Sequence, residues 1–455
     1  MDHQLVSLYN SIQSGYNVVT DNRYEQLVQK EKDRYIPIHS WYQFKESYSP
    51  MLLGQLLNEL KIGGSLRLLD PFCGSGTTLL SGILDTNLSL NCVTGIEVNP
   101  FIHFMAKTKL RFHELNLDKA EKFITYLCSC DLSLNIHDFA VPELTTIKRA
   151  YANETLAQLL HLKQLIKYYF SSDTYEHDFF MLAFASILEP VSCMIKTGRA
   201  LKVNRKKEPH NVKEIYLHKV YRMVDDIISI GKEVNLKAMN INVICQDVRN
   251  YIELVHSGYN FVIFSPPYLN HFDYTEVYKI ELWMLDFVTS YEEFKSLRFK
   301  TFRSHPSVKF NKTNYYKSYN SSFIHEMMNI LDSSNREERF YPTFRGYIDD
   351  MYKTLDHLNE ITSGNATVCC VIANSLFGSE KYNNLTPVAT DLLISEIAND
   401  IGFEVLEIKK ARDVTRRGIR FPFGRESIIV MRKRIPEQQS SDAGEDKDVL
   451  LNIAL

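Results

Sequence analysis

Seven short apolar segments, set apart by turn residues and helical patterns, leave this chain few folds to adopt. They span 66–72, 91–98, 241–247, 260–265, 366–374, 403–409 and 426–433. Each is short and bounded by turn residues, so each reads as a buried or half-buried strand. Helical patterns follow the first two, over 77–84 and 99–110, and precede the fifth and sixth, over 347–361 and 389–401. Strands alternating with helices predict an α/β fold with a mainly parallel sheet covered on both faces. Only a loop separates the last two strands, so they are expected to form an antiparallel hairpin at one edge.

Two stretches interrupt that plan. Residues 111–237 are too long for one crossover and carry helical patterns at 154–170, 179–189 and 212–232, which predicts an inserted helical subdomain. Residues 290–345 are irregular and rich in Lys, Arg, Phe and Tyr. The expected organisation is a helical N-terminal element over 1–64, core pieces at 65–110, 238–289 and 346–434, these two interruptions, and a disordered acidic tail over 435–455. Residues 1–35 read as one or two short helices.

Composition excludes several classes of function. With 45% hydrophobic and 24% charged residues in 455, the chain is a globular one able to bury a large core. No run approaches the ~18 apolar residues of a membrane helix, and the N-terminus lacks the form of a signal peptide, so a cytoplasmic location is expected. The eight cysteines include no Cys-x-x-Cys pair, and Cys128-x-Cys130 has no well-spaced partners, so no metal site is expected. The net charge of −3 rules out a uniformly basic nucleic-acid coat but leaves room for a local basic groove.

Two motifs carry the chemistry. The first strand runs into Asp70-Pro71-Phe72-Cys73-Gly74-Ser75-Gly76-Thr77, a tight glycine turn opening a helix. Such a turn, at the carboxyl end of a parallel strand, is where ligands of open α/β sheets bind. It is not a phosphate loop, because no Gly-Lys-Ser/Thr ending follows, and Asp70 suits a cationic ligand better than a pyrophosphate. The second strand ends at Glu97, placed to accept both hydroxyls of a ribose. The fourth strand runs into Ser265-Pro266-Pro267-Tyr268. Two prolines hold the chain extended and leave the Pro266 carbonyl free to accept a hydrogen bond. Ser265 offers a second acceptor and Tyr268 a flat face, which together suit a planar base bearing an exocyclic amino group.

Together these residues resemble the S-adenosylmethionine-dependent amino-methyltransferases of DNA, which modify cytosine N4 or adenine N6. The resemblance implies a Rossmann-like class I methyltransferase fold. It implies cofactor contacts from Asp70, Phe72, Gly74, Gly76, Thr77, Glu97 and Asp247, with Asp247 approaching the adenine amino group. It assigns Ser265, Pro266, Pro267 and Tyr268 to the catalytic loop. Ser at the head of that loop is commoner in the cytosine-N4 enzymes, and Asp in the adenine enzymes. The segment 39–50 is similar to the family's upstream element that closes on the methionine part of the cofactor, and Asp273-Tyr274, Glu281-Leu282-Trp283 and Arg425-Glu426-Ser427 also match. Here the cofactor motif precedes the catalytic motif, the reverse of many members. The chain argues against methylation at cytosine C5, because that chemistry needs a cysteine nucleophile carried in a Pro-Cys loop, and no Pro-Cys dipeptide occurs.

The expected substrate is double-stranded DNA, in a restriction–modification setting with a separately encoded endonuclease. Adenine N6, an RNA base, or a non-catalytic scaffold are the alternatives. Lys295, Arg298, Lys300 and Arg303 lead a stretch over 295–317 that also holds Lys309, Lys312 and Lys317, interleaved with aromatics and free of acids, and are expected to contact DNA. Further basic candidates are the run from Lys196 to Lys207 and the group Arg412, Arg416, Arg417 and Arg420.

Overall fold

Strict alternation of side chains along the apolar segments builds two hydrophobic cores, one on each face of a sheet. The computed structural model describes residues 3–29, 35–197, 200–204, 206–208, 210–230, 240–250, 257–270, 272–307, 315–333, 340–378 and 385–435. Its strands are β1 (Val18–Thr20), β2 (Leu66–Asp70), β3 (Leu90–Ile96), β4 (Met194–Thr197), β5 (Ala200–Val203), β6 (Asn240–Ile244), β7 (Tyr259–Phe264), β8 (Thr362–Ala373), β9 (Ser375–Phe377), β10 (Thr386–Val388), β11 (Phe403–Asp413) and β12 (Arg425–Lys433). Eight of them form one sheet in the order β1-β11-β12-β8-β7-β2-β3-β6. The pairs β6·β3, β3·β2, β2·β7 and β7·β8 are parallel, and β12 runs antiparallel to both β8 and β11. Phe261 and Ile263 of β7 join Cys369 and Val371 of β8 in one core; Val262 and Phe264 join Val368 and Cys370 in the other.

The sheet has one strand more than the apolar segments predict. Val18–Thr20 pairs in parallel with β11, so the antiparallel hairpin lies one strand in from the edge. Three half-buried or exposed residues give no period-2 signal, which is why the sequence shows only a helix there. That helix is present over His3–Gln13.

The described residues from 111 to 230 hold helices at Leu117–Ser129, Asn153–Tyr169, Tyr175–Ile187 and Val212–Ile230 among others, and 231–237 lie outside the described residues. They also hold the β4–β5 hairpin, which the basic run had concealed. Among its described residues, the stretch 290–345 is more regular than expected, with helices Tyr291–Lys300 and Ser322–Ser333. The first buries only Phe294 and Leu297, too few to show a period. The expected disordered tail lies outside the described residues from 436 onward.

One packing constraint sits directly under the glycine turn. A Cβ on Gly95 of β3 would come within 2.8 Å of Cys73 and would also overlap Leu79. Gly95→Ala is therefore expected to lower stability by about 1–3 kcal/mol, read as a shifted urea midpoint at unchanged slope.

Candidate active site

The turn after β2 is built by two left-handed glycines, Gly74 at φ +50° and Gly76 at φ +78°. Gly76 opens the helix Thr77–Leu84, and a Cβ there would sit 3.2 Å from Ala106, so it also lets two helices approach. Cys73 N donates to Ile96 O at 3.0 Å, tying the turn to β3. Asp70 is buried beneath it and accepts hydrogen bonds from Phe72 N at 3.1 Å, Thr78 Oγ1 at 2.5 Å and Tyr48 OH at 3.3 Å. Burial pushes its carboxyl up to about 7, against the pull of those donors.

Glu97 follows β3. Its carboxylate accepts from Asn99 N at 2.8 Å, and Asn99 caps the helix Pro100–Leu110. Burial raises Glu97 to about 7 as well, with a further push from the charge of Asp70. Asp247 follows β6 and is clamped by Arg249, whose Nη2 lies 2.6 Å from Oδ2.

These strand ends open on one cleft of about 750 Å³, counting its mouth. That size suits a nucleoside-bearing cofactor. Its walls include Phe72, Gly74, Glu97, Asp247, Ser265 and Pro267, closed by Phe44 and Glu46 on one side and by Lys300, Thr301, Phe302, Ser304 and His305 on another. Phe72 forms the apolar floor, stacked on Phe264 with ring centres 5.7 Å apart and edge-on to Phe302 at 5.5 Å. A smaller adjoining recess is lined by Tyr48, Asp70, Gly74, Thr77 and again Ser265. Gly76 lies behind the turn, and Pro266 is buried outside the lining of either cavity. Tyr268 is turned away from both: its hydroxyl donates to Glu426 Oε1 at 2.8 Å and accepts from Ser265 Oγ at 3.2 Å.

The closing segment 39–50 is held from the helical insertion. Asp226, on the helix Val212–Ile230, accepts from Ile38 N at 2.8 Å, Trp41 Nε1 at 2.9 Å and Tyr35 OH at 2.6 Å. Phe44, Glu46, Tyr48 and Glu426 were not singled out one by one from the sequence. Only their place in segments matching a family pattern pointed to them. Among the described residues, no group of three or more His, Cys, Asp or Glu could hold a metal ion, and no helix is long and apolar enough to cross a membrane.

The basic residues divide. Lys295 is exposed, and Lys300 lines the cleft mouth. Arg303, expected to contact DNA, is only 6% exposed and pairs with Asp350, its Nη2 2.5 Å from Oδ1. Arg298 is paired with Glu276 and, at 3.1 Å, with Asp273. Both charges are engaged by acids, Arg298 half-buried and Arg303 buried, so these two side chains brace their segment from within the protein. Lys309, Phe310 and Lys312 lie outside the described residues, as do Arg199 and Arg205 of the second run. Lys196 of that run is buried against Glu281. In the third group Arg412 pairs with Glu426 and Arg416 donates to Leu376 O, while Arg417 and Arg420 are exposed.

A mainly parallel sheet with an antiparallel β12, and acids ending its central strands beside a glycine turn, defines a Rossmann-like α/β fold with its ligand cleft at the carboxyl ends of the strands. The type II methyltransferase M.BsoBI of Geobacillus stearothermophilus is 25% identical over 443 residues, covering 86% of this chain and 83% of that protein. The type II methyltransferase M.AvaI of Nostoc sp. is 22% identical over 277 residues, covering 57% and 56%. A solved rRNA methyltransferase, aviRa of Streptomyces viridochromogenes, shares 12% identity over 89% of each chain with a TM-score of 0.28, too slight a likeness to carry weight. No family profile matches the chain. The chain is thus similar over most of its length to type II methyltransferases.

Proposed function

We propose that this protein methylates the exocyclic N4 of a cytosine drawn out of duplex DNA, as the modification partner of a separately encoded endonuclease. The observation that carries this reading is Ser265, which borders both the large cleft and the recess over Asp70. S-adenosylmethionine supplies a methyl group on a positively charged sulfur. The chain's task is then to hold an amine in line with it. Glu97 suits the ribose hydroxyls, and Asp247 the adenine edge. Asp70, Gly74 and Thr77 would surround the cationic methionine end, with Gly76 shaping the turn from behind. The Ser265 hydroxyl would accept an amino hydrogen and help localise the nitrogen lone pair. Extrusion of the base costs a few kcal/mol. Lys295, Lys300, Arg417 and Arg420 are exposed, with Lys300 at the cleft mouth, and suit backbone phosphates.

The test is methyl transfer from deuterium-labelled S-adenosylmethionine to mixed-sequence duplex DNA, digested to nucleosides and read by mass spectrometry. Labelled N4-methylcytosine is the expected product. N6-methyladenine would move the target base, and label only in RNA would overturn the DNA reading.

Cofactor binding should depend on pH in a direction set by Asp70 and Glu97. Both carboxyls titrate near 7 in the cofactor-free protein. A cation beside Asp70 and hydroxyl donors at Glu97 favour the ionised forms. Affinity should therefore rise as pH climbs from 5.5 to about 7 and level off above it. Below 7, binding should release protons, seen calorimetrically as a heat that changes with the buffer's ionisation enthalpy. A flat profile would show that neither carboxylate meets the cofactor.

A further inference from the structure

Methylating an amine leaves one proton too many. A neutral NH2 that gains CH3 becomes a cation with two N–H bonds, and one proton must leave before the product is neutral. Ser265, at the head of the loop, is a hydroxyl and only a weak base. The structure shows where the proton can go. Ser265 Oγ donates to Tyr268 Oη at 3.2 Å, and Tyr268 Oη donates to Glu426 Oε1 at 2.8 Å. Glu426 is buried on β12, and its other oxygen accepts from Arg412 Nε of β11 at 2.6 Å. Other acids at the cleft are engaged elsewhere: Glu46 accepts from Tyr278 OH at 2.6 Å, Glu97 from Asn99 N at 2.8 Å, and Asp247 is held by Arg249.

We infer that Ser265, Tyr268 and Glu426 form a proton relay from the methylated amine to the Glu426 carboxylate, a role that rests on the function proposed above. The nitrogen–hydrogen bond breaks and Ser265 Oγ takes that proton. The proton already on Ser265 passes to Tyr268 Oη, and the one already on Tyr268 passes to Glu426 Oε1. Nothing is oxidised: a cationic nitrogen and a carboxylate both become neutral, and the proton returns to water once the product leaves. Burial and the neighbouring carboxylate hold the Tyr268 phenol well above its usual range. A free tyrosinate therefore does not form, and Tyr268 gives up its proton as it receives another. Tyr268 and Glu426 act through Ser265 and are positioning residues; Arg412 fixes the carboxylate's direction.

The test uses the full chain, labelled S-adenosylmethionine and duplex DNA, under single-turnover conditions in water and heavy water. Tyr268→Phe keeps the ring and removes the hydroxyl, and Glu426→Gln keeps the shape and removes the acceptor charge. Each should slow the transfer step about tenfold or more. Cofactor and DNA affinities should stay within about twofold, and the double variant should be no slower than the slower single one. The native solvent isotope effect should change in both. Independently of turnover, the Tyr268 hydroxyl proton should be visible by NMR with ring-labelled tyrosine, and should shift in Glu426→Gln. Transfer by Tyr268→Phe at the native rate with the native isotope effect would overturn the relay and leave the proposed function standing. Absence of any methylated amine from the native protein would remove both.

Discussion

Ser265→Ala should lose about 100-fold or more in the rate of methyl transfer, while S-adenosylmethionine affinity stays within about twofold of native. Removing one polar contact aimed at a reacting centre in a shielded site costs about 10²–10³ in kcat. Here the loss is compounded. The hydroxyl is the acceptor proposed for the amino group, and it also donates to Tyr268. The cofactor stands to lose little, because the larger cleft is formed by several strand ends and by the segments around Phe44 and Phe302. A fall in rate without a matching fall in affinity identifies an interaction made in the transition state. Calorimetry for the cofactor and a single-turnover assay for the methyl group separate the two. Unchanged transfer by Ser265→Ala would sink the assignment of the loop, and a parallel loss of cofactor affinity would recast Ser265 as part of the cofactor wall.

Legibility from sequence followed how local each signal is. The strand runs, the glycine turn and the proline loop are each encoded within about a dozen residues, and strand order then brings Glu97, Asp247 and Ser265 to one cleft, with Asp70 in the recess beside it. Pairings across the chain were not legible. Tyr268 meets Glu426 across 158 positions, and no composition or period announces that contact. The same blindness misjudged the cations. A run of Lys and Arg looks like a phosphate-binding surface until the acids that meet it are known. For Arg303 these are Asp349 and Asp350, buried on the helix Phe340–Ile361. The segment 300–305 is thereby fastened as a wall of the cleft, with Arg249 bridging Asp247 and Asp350 at 2.6 and 2.9 Å.

Lys196 shows the same reversal and should have the largest effect on stability. It sits on β4, in the helical insertion, at 7% exposure, paired with Glu281 and hydrogen-bonded to Tyr42 OH at 2.6 Å. Tyr42 OH in turn donates to Glu281 Oε1 at 2.7 Å, and the ammonium lies 4.4 Å from the centre of the Tyr278 ring. This cluster joins the insertion, the closing segment 39–50 and the helix Lys279–Met284 that follows the catalytic loop. Removing one member of a buried pair leaves the other charge without its partner, at a cost of about 3–5 kcal/mol. Lys196→Met should therefore lower the unfolding free energy by about that much in urea. Replacing both charges, Lys196→Met with Glu281→Leu, should recover much of it, because no buried charge is then stranded. Cofactor affinity should also weaken in the single variant, since Phe44 stacks on Tyr278 and Tyr278 donates to Glu46, and both Phe44 and Glu46 line the cleft. A loss below about 1 kcal/mol for Lys196→Met would mean that the pair is solvated in solution, and that the insertion does not hold the closing segment through it.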